Sequence, residues 1–474
     1  MRTSLLTILA ASVCASLPAA HVTYGFWSDG ALSMSAYASN FSPGSSLRTA
    51  LEDVVDGFLF EQPSNGYFLM SYDDDDVAPD NDENEFWFSG ATGGPPAECL
   101  AWLLPSNEIV EADVIFYVDG NWATNRSKSA TLAYGGAGRL FDAGAYHELG
   151  HALGLAHEPG QYNVMGQEWD HVTCNSQTIR GYLGEDAADG LVQLYGSFPI
   201  EDVGASLFRY FSSSGGYSVH TTCSMVDAAN ATLTGTPFDG QWRFDVPIGR
   251  QVGVEFTYDN NGNSAQTIRL GFYVSTNDFI STSDRLVFTE TISISRDDPL
   301  TRTTFFTLPT DLNQGQTYYL GVIVDDDDQL AEAVETNNEA YHAFQVVCDS
   351  TPDVQPFSAA PNPDSFTSTM ITLGSVFVMS VDLGTTGHSQ ALPFGFDTPV
   401  DVTLSGGQRL LCIDGGGSGE ILGFTPQAGP APNWFGSAPN ESYLCGYVFS
   451  MQAIHFGGVA PFALSNALDV TVGL

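Results

Sequence analysis

The stretch "AYHELGHALGLAHEPGQYNVMG", Ala145 to Gly166, constrains the fold more than any other segment of the chain. His147 and His151 stand four residues apart, so a helix carries both imidazoles on one face, within reach of a single ion. Gly154 follows three residues later. A glycine there can take a positive φ, stop the helix and turn the chain back. That reversal brings His157 to the same ion as a third ligand. Zinc takes nitrogen ligands at about 2.0–2.1 Å in a tetrahedral array, and three histidines leave the fourth position to water, as in catalytic centres. Glu148 is placed to accept a proton from water activated by the metal and to hand it to a departing amine. A surface helix with scattered polar residues is the plainer alternative. It is outweighed because the chain has 9 histidines in all, and three fall at these offsets.

The same residues match every fixed position of the pattern H-E-x-x-H-x-x-G-x-x-H followed by a Met-turn, and so resemble the metzincin clan of zinc endopeptidases. "YNVMG" supplies the turn, and the resemblance gives Met165 the role of flooring the metal site. It implies an α+β zincin-like catalytic domain, one catalytic Zn2+, and hydrolysis of peptide bonds with Glu148 as general base. "NEFWFSG", "EADVIF" and "EDAADGLVQLYG" extend the likeness, more loosely, to matrixin-type domains up to about Gly196. There are departures. Glu158 directly follows the third ligand, as in astacins, but Gly166 follows Met165 and no tyrosine stands two residues beyond it. The astacin-type tyrosine ligand therefore has no matching residue. Besides the ligands, the first domain has only His21 and His171, so the structural zinc of animal matrixins has no matching set. His171 reads as a loop histidine, with a place in the substrate pocket as the alternative. A propeptide with a cysteine switch is not expected.

Charge narrows the partners. Lys and Arg number 14 against 56 Asp and Glu, a formal net charge of −42. Such a surface repels phosphate backbones, which argues against nucleic acid, and attracts cations. "SYDDDDVAPDNDENEFWF" gathers Asp73 to Asp76, Asp80, Asp82, Glu83 and Glu85. Clustered carboxylates suit Ca2+, although a solvated acidic loop is the plainer reading. The N-terminus has Arg2, then an apolar run from Leu5 to Val13, then small residues, the pattern of a signal peptide over 1–20. No other segment is long and apolar enough to span a bilayer. The expectation is a secreted protein acting on a protein or peptide substrate.

Period-two alternation replaces helical period after residue 220. "VGVEFTYDN" and "RLGFYVS" alternate apolar residues as half-buried strands do. "YDNNGNSAQTIRLGFYVS", "DLNQGQTYYLGVIVDDDD" and "EAVETNNEAY" resemble the CARDB-type adhesion module, an immunoglobulin-like sandwich. The expected organisation is a peptidase domain over 21–198, a linker over 199–219 and a CARDB-like β-sandwich over 220–349. A proline-rich linker over 350–363 and a C-terminal β-sandwich over 364–474 complete it. The fold class is thus multidomain, α+β followed by two all-β sandwiches. Six cysteines beyond Cys14 fall two to each domain. That distribution points to Cys99–Cys174, Cys223–Cys348 and Cys412–Cys445, among 15 pairings that six cysteines allow. The rival function is a surface adhesion protein whose metzincin-like domain is vestigial.

Overall fold

The structure is a computed structural model that describes residues 5–7, 23–91, 93–296, 298–357, 361–397, 400–411 and 420–474. Cys14, the expected cleavage region between Ala15 and Ala20, His21 and Cys412 lie outside the described residues. The chain is mostly β and divides into two compact units. The first comprises Met1–Phe244, Gln251–Phe306 and Thr317–Phe344; the second comprises Asp245–Arg250, Thr307–Gln316 and Gln345–Leu474.

The N-terminal part of the first unit is built on a mixed sheet in the order β1-β5-β6-β4-β2-β3. Its strands are β1 (Leu5–Thr7), β2 (Ala31–Tyr37), β3 (Tyr67–Asp74), β4 (Glu85–Ser89), β5 (Ala97–Leu103) and β6 (Ile109–Tyr117). Strands β2, β3, β4 and β6 run parallel, and β5 is antiparallel to β6. Parallel neighbours need a crossover, and helix α1 (Ser46–Phe60) supplies it between β2 and β3. Ser45 caps α1 by accepting a hydrogen bond from the Arg48 backbone N–H at 3.2 Å. Leu51, Val54 and Phe58 are buried along one face of α1, with Leu47 half-buried behind them. Full burial of one such side chain stabilises by about 1.5–3 kcal/mol.

Helix α2 (Phe141–Ala152) carries the first two histidines, and every one of its residues is buried. A helix buried all round sits in the middle of a domain, and Phe141, Ala145, Leu149 and Ala152 join a core shared with Phe41, Phe58, Phe86 and Phe116. Three aromatic side chains satisfy its last carbonyls, which have no partner within the helix. Tyr24 Oη donates to His151 O at 2.5 Å, Trp27 Nε1 to Ala152 O at 2.8 Å and Tyr195 Oη to Leu153 O at 2.6 Å. Tyr195 ends helix α3 (Glu185–Tyr195).

A β-sandwich follows along the chain. One sheet has Val203–Ser206, Gln251–Asn260 and Met225–Asp227 in order, with Leu300–Thr307 also pairing Gln251–Asn260. The other sheet includes Gln241–Pro247, Glu339–Val347, Thr317–Val324 and Gln266–Ser275. Val252, Val254, Phe256 and Tyr258 of "VGVEFTYDN" are all inside, but so are Gly253, Thr257 and Asp259, so the strand is buried on both faces rather than half-buried. The second unit is a further sandwich around Phe366, Met379, Trp434, Met451 and Val470.

Three expectations need correction. The supposed linker over 199–219 is folded: it contains Val203–Ser206 in a sheet and most of a hairpin formed by Phe208–Ser214 and Tyr217–Thr222. The proline-rich segment is in part a strand, Asp353–Phe357, at the edge of a sheet. Pro356 is tolerated there because an edge strand has backbone N–H groups that need no ladder partner. The disulfides also differ. Cys348 bonds to Cys445, with Cα atoms 5.5 Å apart, which excludes Cys223–Cys348 and Cys412–Cys445. Cys99, Cys174 and Cys223 are buried free thiols, which excludes Cys99–Cys174. The premise of two cysteines per domain fails, since Cys348 falls in the second unit together with Cys445.

Candidate metal centre and its surroundings

Helix α2 ends at Ala152, and Gly154 has φ +100°, a conformation that L side chains rarely adopt. A Cβ at Gly154 would stand 2.2 Å from the Gly25 carbonyl oxygen, so glycine is needed for space as well as for φ. The Tyr24 N–H donates to Gly154 O at 2.9 Å and holds the reversed chain against the N-terminal segment. The reversal delivers His157 to the face that carries His147 and His151.

The three imidazoles converge. His151 Nε2 lies 3.1 Å from His147 Nε2 and 3.1 Å from His157 Nε2. His147 Nδ1 is 2.7 Å from Val164 O, and His151 Nδ1 is 2.7 Å from Leu155 O. A carbonyl oxygen only accepts, so each of these Nδ1 atoms carries the proton and each Nε2 presents a lone pair. Burial and the neighbouring rings push His151 well below the usual histidine range, and push His157 down to about 3. The three Nε2 atoms thus converge on one point, an arrangement that suits a cation. Ligand nitrogens at about 2.0–2.1 Å in tetrahedral geometry are roughly 3.3 Å apart, close to the observed spacing. The donor set and its geometry fit a zinc ion.

Glu148, next to His147, is buried. Burial first, and the charges of Glu168 and Glu98 after it, raise its carboxyl well above the ordinary range. Met165 is 1% exposed, and its Sδ lies 2.6 Å from where a Cβ on Gly150 would stand. The methionine therefore packs under the helix turn between the two helical histidines. His171 does not reach the site. It is 0% exposed, sandwiched between Tyr162 and Tyr182 at 4.7 and 4.3 Å between ring centroids.

A second group of potential ligands lies where β3 passes into β4, from the end of β3 through the loop to the start of β4. Asp74, Glu83 and Glu85 each offer an oxygen within 4.8 Å of the others. Glu85 is fully buried, and its Oε1 has no hydrogen-bond partner. Asp113 is equally buried, with Oδ2 unpartnered, while its Oδ1 accepts from the Glu85 N–H at 3.1 Å. Burial raises Glu85 to about 7 and Asp113 to about 8. The run from Asp73 to Asp82 contributes only Asp74 to this group, and Asp80 and Asp82 instead take turn conformations at positive φ.

One neighbour of the histidines was not found from the sequence. Tyr217 lies with its ring centroid 4.3 Å from that of His157. Burial, then Glu148 and Glu168, raise its phenol above the usual value. "RYFSSSGGYS" has the composition of a linker, yet Gly-Gly between two extended runs is also a two-residue hairpin signal. That signal would have found the fold of the segment, though not its neighbour.

No protein-family model and no curated protein matches the chain. Among solved structures, the chain is similar to the crystal structure of the CARDB domain of a Pyrococcus furiosus protein in complex with di-metal ions. The identity is 16%, with 31% of this chain and 96% of that chain covered, at a TM-score of 0.20. The solution structure of the same domain gives 16% identity, 31% and 97% coverage, and a TM-score of 0.20. Trypsin-activated alpha-2-macroglobulin from Escherichia coli is similar at 11% identity over 66% of this chain and 20% of that one, with a TM-score of 0.15.

Proposed function

We propose that this protein is a secreted zinc-dependent endopeptidase of the metzincin clan, with a matrixin-like catalytic domain followed by a CARDB-like sandwich and a C-terminal β-domain. The observation that carries the reading is the convergence of three imidazole Nε2 atoms, with the buried Glu148 next in sequence to the first of them. His147, His151 and His157 would hold the ion, with the first two oriented by their bonds to Val164 O and Leu155 O. A zinc ion held by these residues would supply a water of pKa about 7 and a Lewis acid for the peptide carbonyl. Glu148 takes the proton from the attacking water and returns it to the leaving amine. A carboxyl raised above its ordinary range is better matched to both halves of that transfer than an exposed one. Met165 and the buried α2 keep the ligands rigid, so little reorganisation accompanies the reaction.

The acidic group at Asp74, Glu83 and Glu85 takes a hard cation, calcium, on this reading. Its oxygens are the donor type calcium prefers. Calcium also offsets the repulsion among these carboxylates, of which Glu85 is buried.

Cleavage of an unfolded protein substrate by the purified chain, with and without a zinc chelator, tests the function. Glu148→Gln should keep one zinc per chain and lose about 10²–10⁴-fold in kcat/KM, the usual contribution of a positioned acid–base group. Undiminished hydrolysis in that variant removes the mechanism. The adhesion reading gains if the zinc-loaded wild type cleaves nothing. What favours enzyme over adhesion protein is that neither Glu148 nor any histidine of the set is lost.

A further inference from the structure

The hairpin that replaces the expected linker reaches the histidine centre. Its strands pair from Phe208↔Thr222 to Ser214↔Tyr217, joined by Gly215 and Gly216 at φ +63° and +93°. Positive φ at both central residues is the turn that matches strand twist, and it puts Tyr217 first after the tip. The ring of Tyr217 lies against His157, yet the residue keeps 43% of its surface exposed. Its phenol oxygen has no hydrogen-bond partner among the described residues.

The hairpin is clipped to the segment that carries His157 and Met165. Ser213 Oγ donates to Pro159 O at 2.6 Å, two residues beyond the third histidine. Ser218 Oγ is 2.8 Å from His220 Nε2, and His220 Nδ1 is 2.8 Å from Asp170 Oδ1. A Cβ on Gly166 would stand 1.8 Å from Ser218 Oγ, so the strand lies directly on the methionine turn. Asp170, His220 and Ser218 have the connectivity of a nucleophilic triad, but Ser218 is 0% exposed and no substrate reaches it. Their effect is to fix the strand whose first residue is Tyr217.

We propose that Tyr217 is a substrate-contacting residue of the histidine centre. Its ring stands against His157, and its O–H donates a hydrogen bond to a backbone carbonyl oxygen of the bound peptide. Asp170, His220 and Ser218 are positioning residues for it. An extended peptide presents an unpaired carbonyl at every residue, and a site that binds it needs donors along its walls. The proposal rests on the peptidase reading above.

The test compares Tyr217→Phe, Tyr217→Ala and His220→Ala in the zinc-loaded full chain, with zinc content and near-UV circular dichroism recorded for each. Peptide affinity is measured by calorimetry in a Glu148→Gln background with a peptide that the wild type cleaves. Tyr217→Phe keeps the ring and removes the donor. It should weaken binding about 3–10-fold, the range of one hydrogen bond, with zinc retained. In the active background KM should rise by the same factor with kcat nearly unchanged. Tyr217→Ala should weaken binding further. His220→Ala should raise KM without changing zinc content. Wild-type affinity in Tyr217→Phe overturns the proposal, as does tighter binding by Tyr217→Ala, which would mark an occluding strap. A zinc-loaded wild type that neither binds nor cleaves any peptide overturns the peptidase reading itself. That failure shows before any Tyr217 variant is made.

Discussion

At the residue scale, the site depends on positions that admit one side chain each. Gly154→Ala places a Cβ 2.2 Å from a backbone oxygen at a φ of +100°. Backbone strain of this kind costs about 1–3 kcal/mol, so the variant should unfold at lower denaturant and hold zinc more weakly. Equal midpoints for variant and wild type in urea would remove the role given to the reversal. The cysteines separate into two classes. Burial pushes the Cys174 thiol up to about 11 and raises Cys99 and Cys223 as well. Thiols kept protonated and inside are poor nucleophiles, so in the native state all three should resist alkylation. Rapid labelling of any of them by iodoacetamide at neutral pH would contradict that.

At the element scale, α2 is a helix whose sequence determines its face and whose surroundings determine its precision. Tyr24 and Trp27 come from the N-terminal segment, and Tyr195 from α3, to close carbonyls that the helix leaves open. The passage from β3 through the loop into β4 works in the reverse sense. It assembles carboxylates that repel one another, with buried oxygens at Glu85 and Asp113 lacking partners. A cation that binds only the folded chain raises stability by mass action. Calcium in excess should therefore raise Tm, and Glu85→Gln should abolish most of that increment. A Tm that calcium leaves unmoved would return the loop to a solvated role.

At the scale of the whole molecule, buried carboxylates make stability depend on pH. Burial raises Asp202 to about 7 and Glu332 to about 8, above the ordinary carboxylate range of about 4. A raised acid binds its proton more tightly in the folded state than in the unfolded one. Its contribution is therefore full below about pH 4 and is lost as pH rises through 7 to 8. Tm at fixed ionic strength should fall between pH 5 and pH 8.5, and a rising Tm over that interval would refute the assignment. The Cys348–Cys445 bridge closes a sequence separation of 97 residues in the second unit. Its removal should cost about 2–5 kcal/mol of stability for that unit, read as an earlier unfolding transition of Cys348→Ser.

What could be read in advance was local. His147, His151, Gly154 and His157 are legible because helical period and one positive φ act over a dozen residues. The strand that holds Val252, Val254 and Phe256 is legible because a strand has a period of two. Tertiary structure alone decided what meets across the chain. It chose Cys445 for Cys348, gathered Asp74 with Glu83 and Glu85 beside Asp113, and set Tyr217 on His157. Those contacts follow from which faces bury against which. A linear pattern determines the faces an element has, but their partners are settled only when the whole chain competes for the same buried space.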